Sequence, residues 1–485
     1  MRSSLNCQCA LKAMACLLFG ILVAPAAAKA PDLQQPPNVL LLVADDLGYA
    51  ELGSQGNATV KTPKIDAFCK SAVRCTQAYV TAPNCSPSRA GFLTGRIPLR
   101  FGYEFNPIGA RNEDPQTGLP SKQQTMAEYL HDAGYTTGLI GKWHLGGAAD
   151  FHPQRHGFDE FFGFLHEGHY FVPNPWNQTT TWIRRKGLPA GQNNRYEVSP
   201  RLIYSSHMGH DEPAYDANNP ILRAGQPVIE DAYFTDAITR EATSFIERYH
   251  ASPWFLYVAY NAVHSPLQAK NETLELFKDE DDIHRRIFLA MLYDLDRSVG
   301  QILDTLEATG QSDHTLVVFF SDNGGPTKET TASNLPLRDG KGSMYEGGIR
   351  IPFLIRWPGK LEGGIVSDAI ISTLDLFPTI TGIIGNRPQY ELDGLEITEL
   401  IHSPESSSNR ILYWRQGKRA ALREGRWKIV APNGHDSPEK WQLFDLQEDP
   451  SEKIDLSQNP QQIPQMKVLL RKWNGLNQEM AAPLF

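Results

Sequence analysis

Five stretches of this chain are apolar almost without interruption: Asn38–Ala44, Thr137–Ile140, Trp254–Tyr260, Thr315–Phe320 and Ile351–Ile355. A strand with one wet face alternates, so a run without alternation must be covered on both faces, which is the condition of a parallel sheet. Between the runs lie helical patterns at Thr125–Ala133, Asp231–Tyr249 and Asp282–Thr309. Strands alternating with helices predict an α/β fold, a large mixed, mostly parallel sheet sandwiched by helices. Near residue 400 the texture changes. Ser403–Asn409 is polar, and the short runs Ile411–Arg415, Ala420–Arg423, Trp427–Val430 and Gln442–Leu446 precede a helical pattern at Pro464–Met480. This predicts a catalytic-sized domain over 36–400 and a smaller α+β domain of antiparallel sheet plus helix over 401–485. A chain of 485 residues that is 41% hydrophobic can bury both cores.

Residues 1–30 read as a signal peptide. Arg2 and Lys12 precede an apolar run from Ala13 to Val23, and Ala26-Ala27-Ala28 offers small residues for cleavage. The run is short for a bilayer span, so the expectation is a secreted, periplasmic or lysosome-like protein without stable membrane insertion. The formal net charge is −9, and removing Arg2, Lys12 and Lys29 takes it to about −12. An acidic chain argues against nucleic acid as a partner. An anionic substrate would have to be drawn by a local cationic pocket. Beyond the leader remain Cys69, Cys75 and Cys85. Cys69 and Cys75 could pair; Cys85 is left over.

Cys85 opens the stretch Cys-Ser-Pro-Ser-Arg-Ala-Gly-Phe-Leu-Thr-Gly-Arg. Ser86 is a good N-cap residue with Pro87 at the first helical position. Arg89 lies one turn after Cys85, so backbone N–H groups and a guanidinium would surround the thiol. The alternative is an ordinary buried Cys before a capped helix. Asp45-Asp46 follows the first apolar run, and Asp322-Asn323 follows the fourth after Ser321. Ligands of open α/β sheets bind outside the carboxyl ends of the strands. Two acidic pairs there, without His, make a hard oxygen site suited to calcium, unless each merely caps its turn. Gly141-Lys142-Trp143-His144 places Lys142 and His144 on one face of extended chain. His264 follows the third run, and Lys341 precedes Glu346-Gly347-Gly348. Each alone is more simply a solvated side chain; their common place at strand ends joins them.

Cys-x-Pro-Ser-Arg followed by Leu-Thr-Gly-Arg resembles the signature of the type I sulfatases, and Asp45-Asp46, Gly-Lys-x-His, His264-Ser265-Pro266, Asp322-Asn323 and Lys341 match that family's pattern as well. The resemblance implies an alkaline phosphatase-like fold and a sulfuric ester hydrolase. It implies that Cys85 is oxidised by a formylglycine-generating enzyme to 3-oxoalanine, whose geminal diol is the nucleophile. It implies one calcium ion held by Asp45, Asp46, Asp322, Asn323 and modified Cys85. It assigns Arg89 and Lys142 to the diol, Asp322 to its activation, His144 to its later deprotonation, and His264 and Lys341 to the sulfate and the leaving group. Lys142 would also touch the sulfate. The segments Arg423–Lys428 and Phe444–Pro450 carry the likeness into the C-terminal domain.

The segment Leu145–Glu230 matches the family little. It is rich in aromatic and basic residues, among them His166, His169, Tyr170, Trp176, Trp182 and Arg184. Aromatic faces suit sugar rings and basic groups suit neighbouring sulfates, with His169 the substrate-binding candidate. The expected activity is exo-acting hydrolysis of a sulfated glycan. A formylglycine-dependent phosphonate or phosphate-ester hydrolase is the alternative within enzymes. A catalytically inactive glycan-binding protein is the alternative outside them, opposed by the intact Cys85, Lys142, His144 and His264.

Overall fold

The computed structural model describes residues 36–190, 194–385 and 388–485. The leader, 1–30, lies outside the described residues. The central sheet has ten strands. From one edge they are Val366–Ser372, Val73–Tyr79, Arg350–Arg356, Thr315–Ser321, Asn38–Ala44, Trp254–Ala259, Thr136–Lys142, Glu160–Phe164, and the two-residue strands Leu222–Arg223 and Gln226–Pro227. The block from Thr315–Ser321 to Glu160–Phe164 is parallel throughout. Arg350–Arg356 runs antiparallel to both neighbours, and Val366–Ser372 is again parallel to Val73–Tyr79. The sheet is therefore mixed and mostly parallel, as the unbroken apolar runs predict.

Those runs are buried on both faces. In Asn38–Ala44, Val39, Leu41 and Val43 join one core cluster while Leu40, Leu42 and Ala44 join another. The first cluster takes in the helices Cys85–Thr94, Met126–Asp132 and Leu376–Ile384. The second takes in Pro63–Ser71, Phe234–Arg248 and Ile283–Ala308. Each fully buried Val or Leu side chain contributes about 1.5–3 kcal/mol, so the central strands anchor the fold from both sides.

One feature of the local reading needs correction. The helix after Val73–Tyr79 starts at Cys85 with Asn84 as its N-cap residue, so Ser86 and Pro87 sit inside its first turn. Pro87 is tolerated there because the first-turn N–H groups lack intrahelical partners anyway. The Ser86 hydroxyl instead donates to the His144 carbonyl at 2.5 Å and lies 2.8 Å from the Tyr103 hydroxyl. The pairing of Cys69 with Cys75, left open by the sequence, is not formed among the described residues, where both are free.

The 145–230 segment supplies three strands of a second, four-stranded sheet, ordered Leu267–Lys270, Thr179–Arg184, Leu202–Ser205, Arg195–Ser199, with Leu267–Lys270 coming from beyond the segment. The C-terminal sheet is antiparallel, Ile411–Gln416, Arg419–Glu424, Trp427–Ala431 and Gln442–Asp445. The helix Ile463–Gln478 covers it through Met466, Leu469 and Trp473. Among the described residues no helix is long and apolar enough to cross a membrane.

Candidate active site

The carboxyl ends of the parallel strands meet at one buried point. Asp45 and Asp46 follow Ala44, Asp322 and Asn323 follow Ser321, Lys142 ends its strand, and His264 lies shortly after Ala259. Asp45, Asp322, Asn323, Lys142 and His144 are fully buried, and Cys85 is 1% exposed. Gly141 permits the convergence: with φ 113° it passes so close to the next strand that a Cβ would lie 1.9 Å from the Ala259 carbonyl oxygen.

The ten residues of Cys85–Thr94 are all buried. One turn apart on this helix, Cys85 and Arg89 both face the carboxylates. Cys85 Sγ lies 3.6 Å from Asp45 Oδ1 and 4.0 Å from Asp46 Oδ1. Arg89 donates from Nε and Nη2 to Asp322 Oδ2 at 3.0 and 2.7 Å, and from Nη1 to the Tyr257 hydroxyl at 2.9 Å and the Lys142 carbonyl at 3.2 Å. Lys142 Nζ donates to Asp45 Oδ2 at 2.7 Å. Lys341 Nζ donates to Asp46 Oδ2 at 2.8 Å. Each carboxylate thus has its own cation, as burial of charge requires.

The titration behaviour follows from burial and from these neighbours. Burial pushes the Asp45 carboxyl up to about 7 against Lys142, with Asp322 and Asp46 adding to the rise. Burial also opposes ionisation of Asp322, but Arg89, Lys142 and Lys341 outweigh it and hold that carboxyl at about 2. Burial raises the Cys85 thiol far above its usual range, against the pull of Lys142 and Lys341, which favours the protonated thiol. Burial and Lys142 keep His144 neutral. Its Nε2 lies 3.0 Å from the Pro107 carbonyl, which can only accept, so that nitrogen carries the proton. Nδ1 is left as a buried lone pair without a partner among the described residues. Burial, Lys341 and Lys142 likewise push His264 down. Its Nδ1 donates to the Ser265 carbonyl at 2.5 Å, and Nε2 lies 3.6 Å from Asp46 Oδ2.

The donor set fits a hard divalent cation. Among the described residues, ligand atoms of Asp45, Asp46, Cys85 and His264 lie within 4.8 Å of one another, a grouping that adds His264 to the expected ligands and leaves out Asp322. Asn323 donates from Nδ2 to Asp46 Oδ1 at 2.7 Å, while its Oδ1 is buried without a hydrogen-bond partner among the described residues. An orphaned amide oxygen beside three carboxylates calls for a cation.

These residues belong to a known pattern. Residues 37–386 match the family described as sulfatase, and residues 339–479 match the C-terminal region of N-sulphoglucosamine sulphohydrolase. The chain belongs to the sulfatase family. It is accordingly a sulfuric ester hydrolase with the family's fold. It is similar to N-acetylgalactosamine-6-sulfatase of Mus musculus, 33% identical over 407 residues that cover 81% of this chain and 72% of the relative. It is similar to steryl-sulfatase of Rattus norvegicus, 32% identical over 459 residues, 84% of this chain and 76% of that one. Among solved structures it resembles Ps i-CgsB, 34% identical with a TM-score of 0.79, covering 93% of this chain and 94% of the other.

All seven catalytic candidates of the sulfatase pattern, Cys85, Arg89, Lys142, His144, His264, Asp322 and Lys341, line or adjoin this one cluster. His169 is placed differently. It packs against Phe164 and Phe234 with Nδ1 2.8 Å from the Tyr170 carbonyl, and its contacts are not with the carboxylates. Tyr257, which fixes Arg89, was hidden in the sequence because a hydroxyl in an apolar run reads as core. Arg184 is engaged in a manner the sequence did not suggest, as described below.

Proposed function

We propose that this sulfatase removes sulfate from a sulfated glycan, with Cys85 converted to formylglycine and a calcium ion held by Asp45, Asp46, Asp322 and Asn323. The observation that carries the reading is the buried cluster of three carboxylates, each paired with its own cation, around the side chain of Cys85. When present, formylglycine supplies a geminal diol able to attack sulfur and then collapse to release sulfate, and calcium supplies charge that offsets the sulfuryl oxygens. Arg89 and Lys142 hold the side chain at position 85, and Lys142 and Lys341 offset charge on the sulfate. Asp322, whose carboxyl Arg89, Lys142 and Lys341 hold low despite burial, is the acceptor that would activate the diol. His144, neutral with Nδ1 free, can take a proton. His264 and Lys341 serve the leaving oxygen; the incoming anion offsets the two lysines that keep His264 neutral, so the imidazole can hold a proton in the complex.

A sugar substrate is supported by the relatives, one named for N-acetylgalactosamine 6-sulfate and another solved in complex with k-i-k-neocarrahexaose. Secretion is proposed from the signal-like leader, and a formylglycine-generating enzyme is the maturation partner. The boundary near residue 400 and the substrate-binding role of His169 are retained as proposals. The experiment is a screen of defined sulfated oligosaccharides for released sulfate, run beside aryl sulfate, aryl phosphate and phosphonate esters. Sulfate release from a sugar is the expected result. Faster turnover of phosphonate or phosphate esters than of any sulfate ester would overturn it.

A further inference from the structure

Beside His264, on the side built by the 145–230 segment, lies a second polar cluster. Arg184 closes the strand Thr179–Arg184 and is 5% exposed. Its guanidinium is fully engaged. Nε donates to Glu212 Oε2 at 2.8 Å, and Nη2 to Glu212 Oε1 at 2.6 Å and to the hydroxyls of Tyr215 and Ser265, both at 3.2 Å. Nη1 pairs with Glu329 Oε1 and lies 3.1 Å from His210 Nε2. No N–H remains to receive a neighbouring sulfate, the role its sequence context suggests. The cluster instead holds two carboxylates against one guanidinium and is net negative.

Glu329 is the unsaturated member. Both of its contacts, from Arg184 and from the Ser265 hydroxyl at 2.8 Å, fall on Oε1. Oε2 has no hydrogen-bond partner among the described residues, and the side chain is 19% exposed. Its position at the sulfate pocket is fixed twice over. Ser265 follows His264 directly, and the Tyr215 ring lies 6.1 Å from the His264 ring. Arg184, and after it Lys341, keep this carboxylate ionised despite burial. Tyr170 touches Tyr215 and Trp176 at 6.0 and 5.1 Å between ring centres, an aromatic wall beside the same cluster.

We infer that Glu329 is a specificity-determining residue: Oε2 accepts a hydroxyl of the sugar next to the sulfated carbon, and its charge bars a second sulfate or a carboxylate from that place. The preferred substrate class is therefore a sugar carrying one sulfate on the reacting ring with a free hydroxyl beside it. A hydroxyl satisfies the ionised oxygen, whereas an anion there would lie against a carboxylate oxygen with no donor to receive it. The inference rests on the glycan reading given above.

The test compares kcat/KM on a matched pair, a monosulfated sugar and the same sugar with a second sulfate on the adjacent hydroxyl, for wild type, Glu329→Gln and Glu329→Asp. Wild type should prefer the monosulfated sugar by about tenfold or more, the scale of a hydrogen bond to a charged group. Glu329→Gln should shrink that preference by about tenfold. Glu329→Asp keeps the charge but withdraws the oxygen, so it should lose rate on the monosulfated sugar while still rejecting the disulfated one. If the Gln variant does not fold, the Asp variant decides, because a purely structural counter-ion for Arg184 would lower both substrates equally. An unchanged ratio in both variants, an equal loss on both sugars, or a wild type that prefers the disulfated sugar overturns the assignment. A wild type that cleaves aryl sulfate but neither sugar overturns it through the glycan reading, and that failure shows before any variant is made.

Discussion

Replacing Glu452 by Gln should reverse its effect on stability between acid and alkaline pH. Lys428, Glu346 and Glu452 are fully buried where the C-terminal sheet meets the catalytic sheet. Lys428 Nζ lies 2.9 Å from Glu346 Oε1 and 2.8 Å from Glu452 Oε1. Burial pushes the Glu452 carboxyl from 4.5 to about 7, against the pull of Lys428 and with the help of Glu346. The folded chain therefore holds a proton that the unfolded chain gives up. Stability rises with pH only where the unfolded state binds more protons; here the folded state does, so stability is lost as pH rises from about 4.5 to 7. At 1.36 kcal/mol per unit the loss is about 3 kcal/mol. Gln cannot titrate and escapes it. Its single oxygen cannot serve both Lys428 and the Glu346 N–H, which donates to Glu452 Oε2 at 2.6 Å, so it forfeits one hydrogen bond, about 1 kcal/mol. The variant should be less stable by about 1 kcal/mol at pH 4.5 and more stable by about 2 kcal/mol at pH 8. With an unfolding entropy of about 2.1 cal/mol/K per residue over roughly 450 residues, each kcal/mol moves Tm by about 1 °C. Scanning calorimetry of both proteins across pH 4.5–8 should show the two Tm curves crossing. Parallel curves would refute the reasoning, since they would mean that Glu452 is ionised in the folded state throughout.

Three further outcomes follow from the active-site geometry. Cys85→Ala should be inactive on every sulfate ester when expressed with a formylglycine-generating system, while mass spectrometry of the wild-type peptide shows the thiol replaced by an aldehyde; turnover by the Ala variant would sink the scheme. Asp45→Asn and Asp322→Asn should each lose bound calcium and activity together, because each removes a charge from a hard-cation site, and stoichiometric zinc in active wild type would refute that assignment. His264→Ala should cost about 10²-fold more on a sulfated sugar than on an activated aryl sulfate, since a nitrophenolate scarcely needs a proton; equal losses would leave the proton-donor role to Lys341.

The central strands were legible because a buried parallel strand leaves no room for polar residues, and Asn38–Ala44 or Trp254–Ala259 can be little else. The strands Val73–Tyr79 and Val366–Ser372 were not, because Arg74, Thr76, Gln77 and Asp368 interrupt their apolar character near the sheet edge. The site residues were legible as types at strand ends and as a family signature. Their pairing was not: nothing local tells that Arg89 reaches Asp322 across 233 positions of sequence while Lys142 takes Asp45. The 145–230 segment was the least legible. Its basic residues suggested anion binding, but Arg184 is neutralised by Glu212 from its own segment and by Glu329 from another loop, and charge balance of this kind appears only in three dimensions.

The two polar clusters divide the labour of the site in a physically necessary way. The inner one balances Arg89, Lys142 and Lys341 against Asp45, Asp46 and Asp322, so it can be buried at strand ends without a net charge to desolvate. A divalent cation held by those carboxylates would tip it positive, which suits the sulfate group common to every substrate. In the proposed mechanism that cluster acts on the sulfate and, through Lys341, on the leaving oxygen, which every sulfate ester shares. Discrimination must come from groups that reach the alcohol side. There the chain supplies a negative excess at Glu329 and Glu212, held rigid by Arg184, directly after His264 in space. An enzyme that attracts one anion and borders it with like charge is built to accept a single sulfate and to refuse its neighbour.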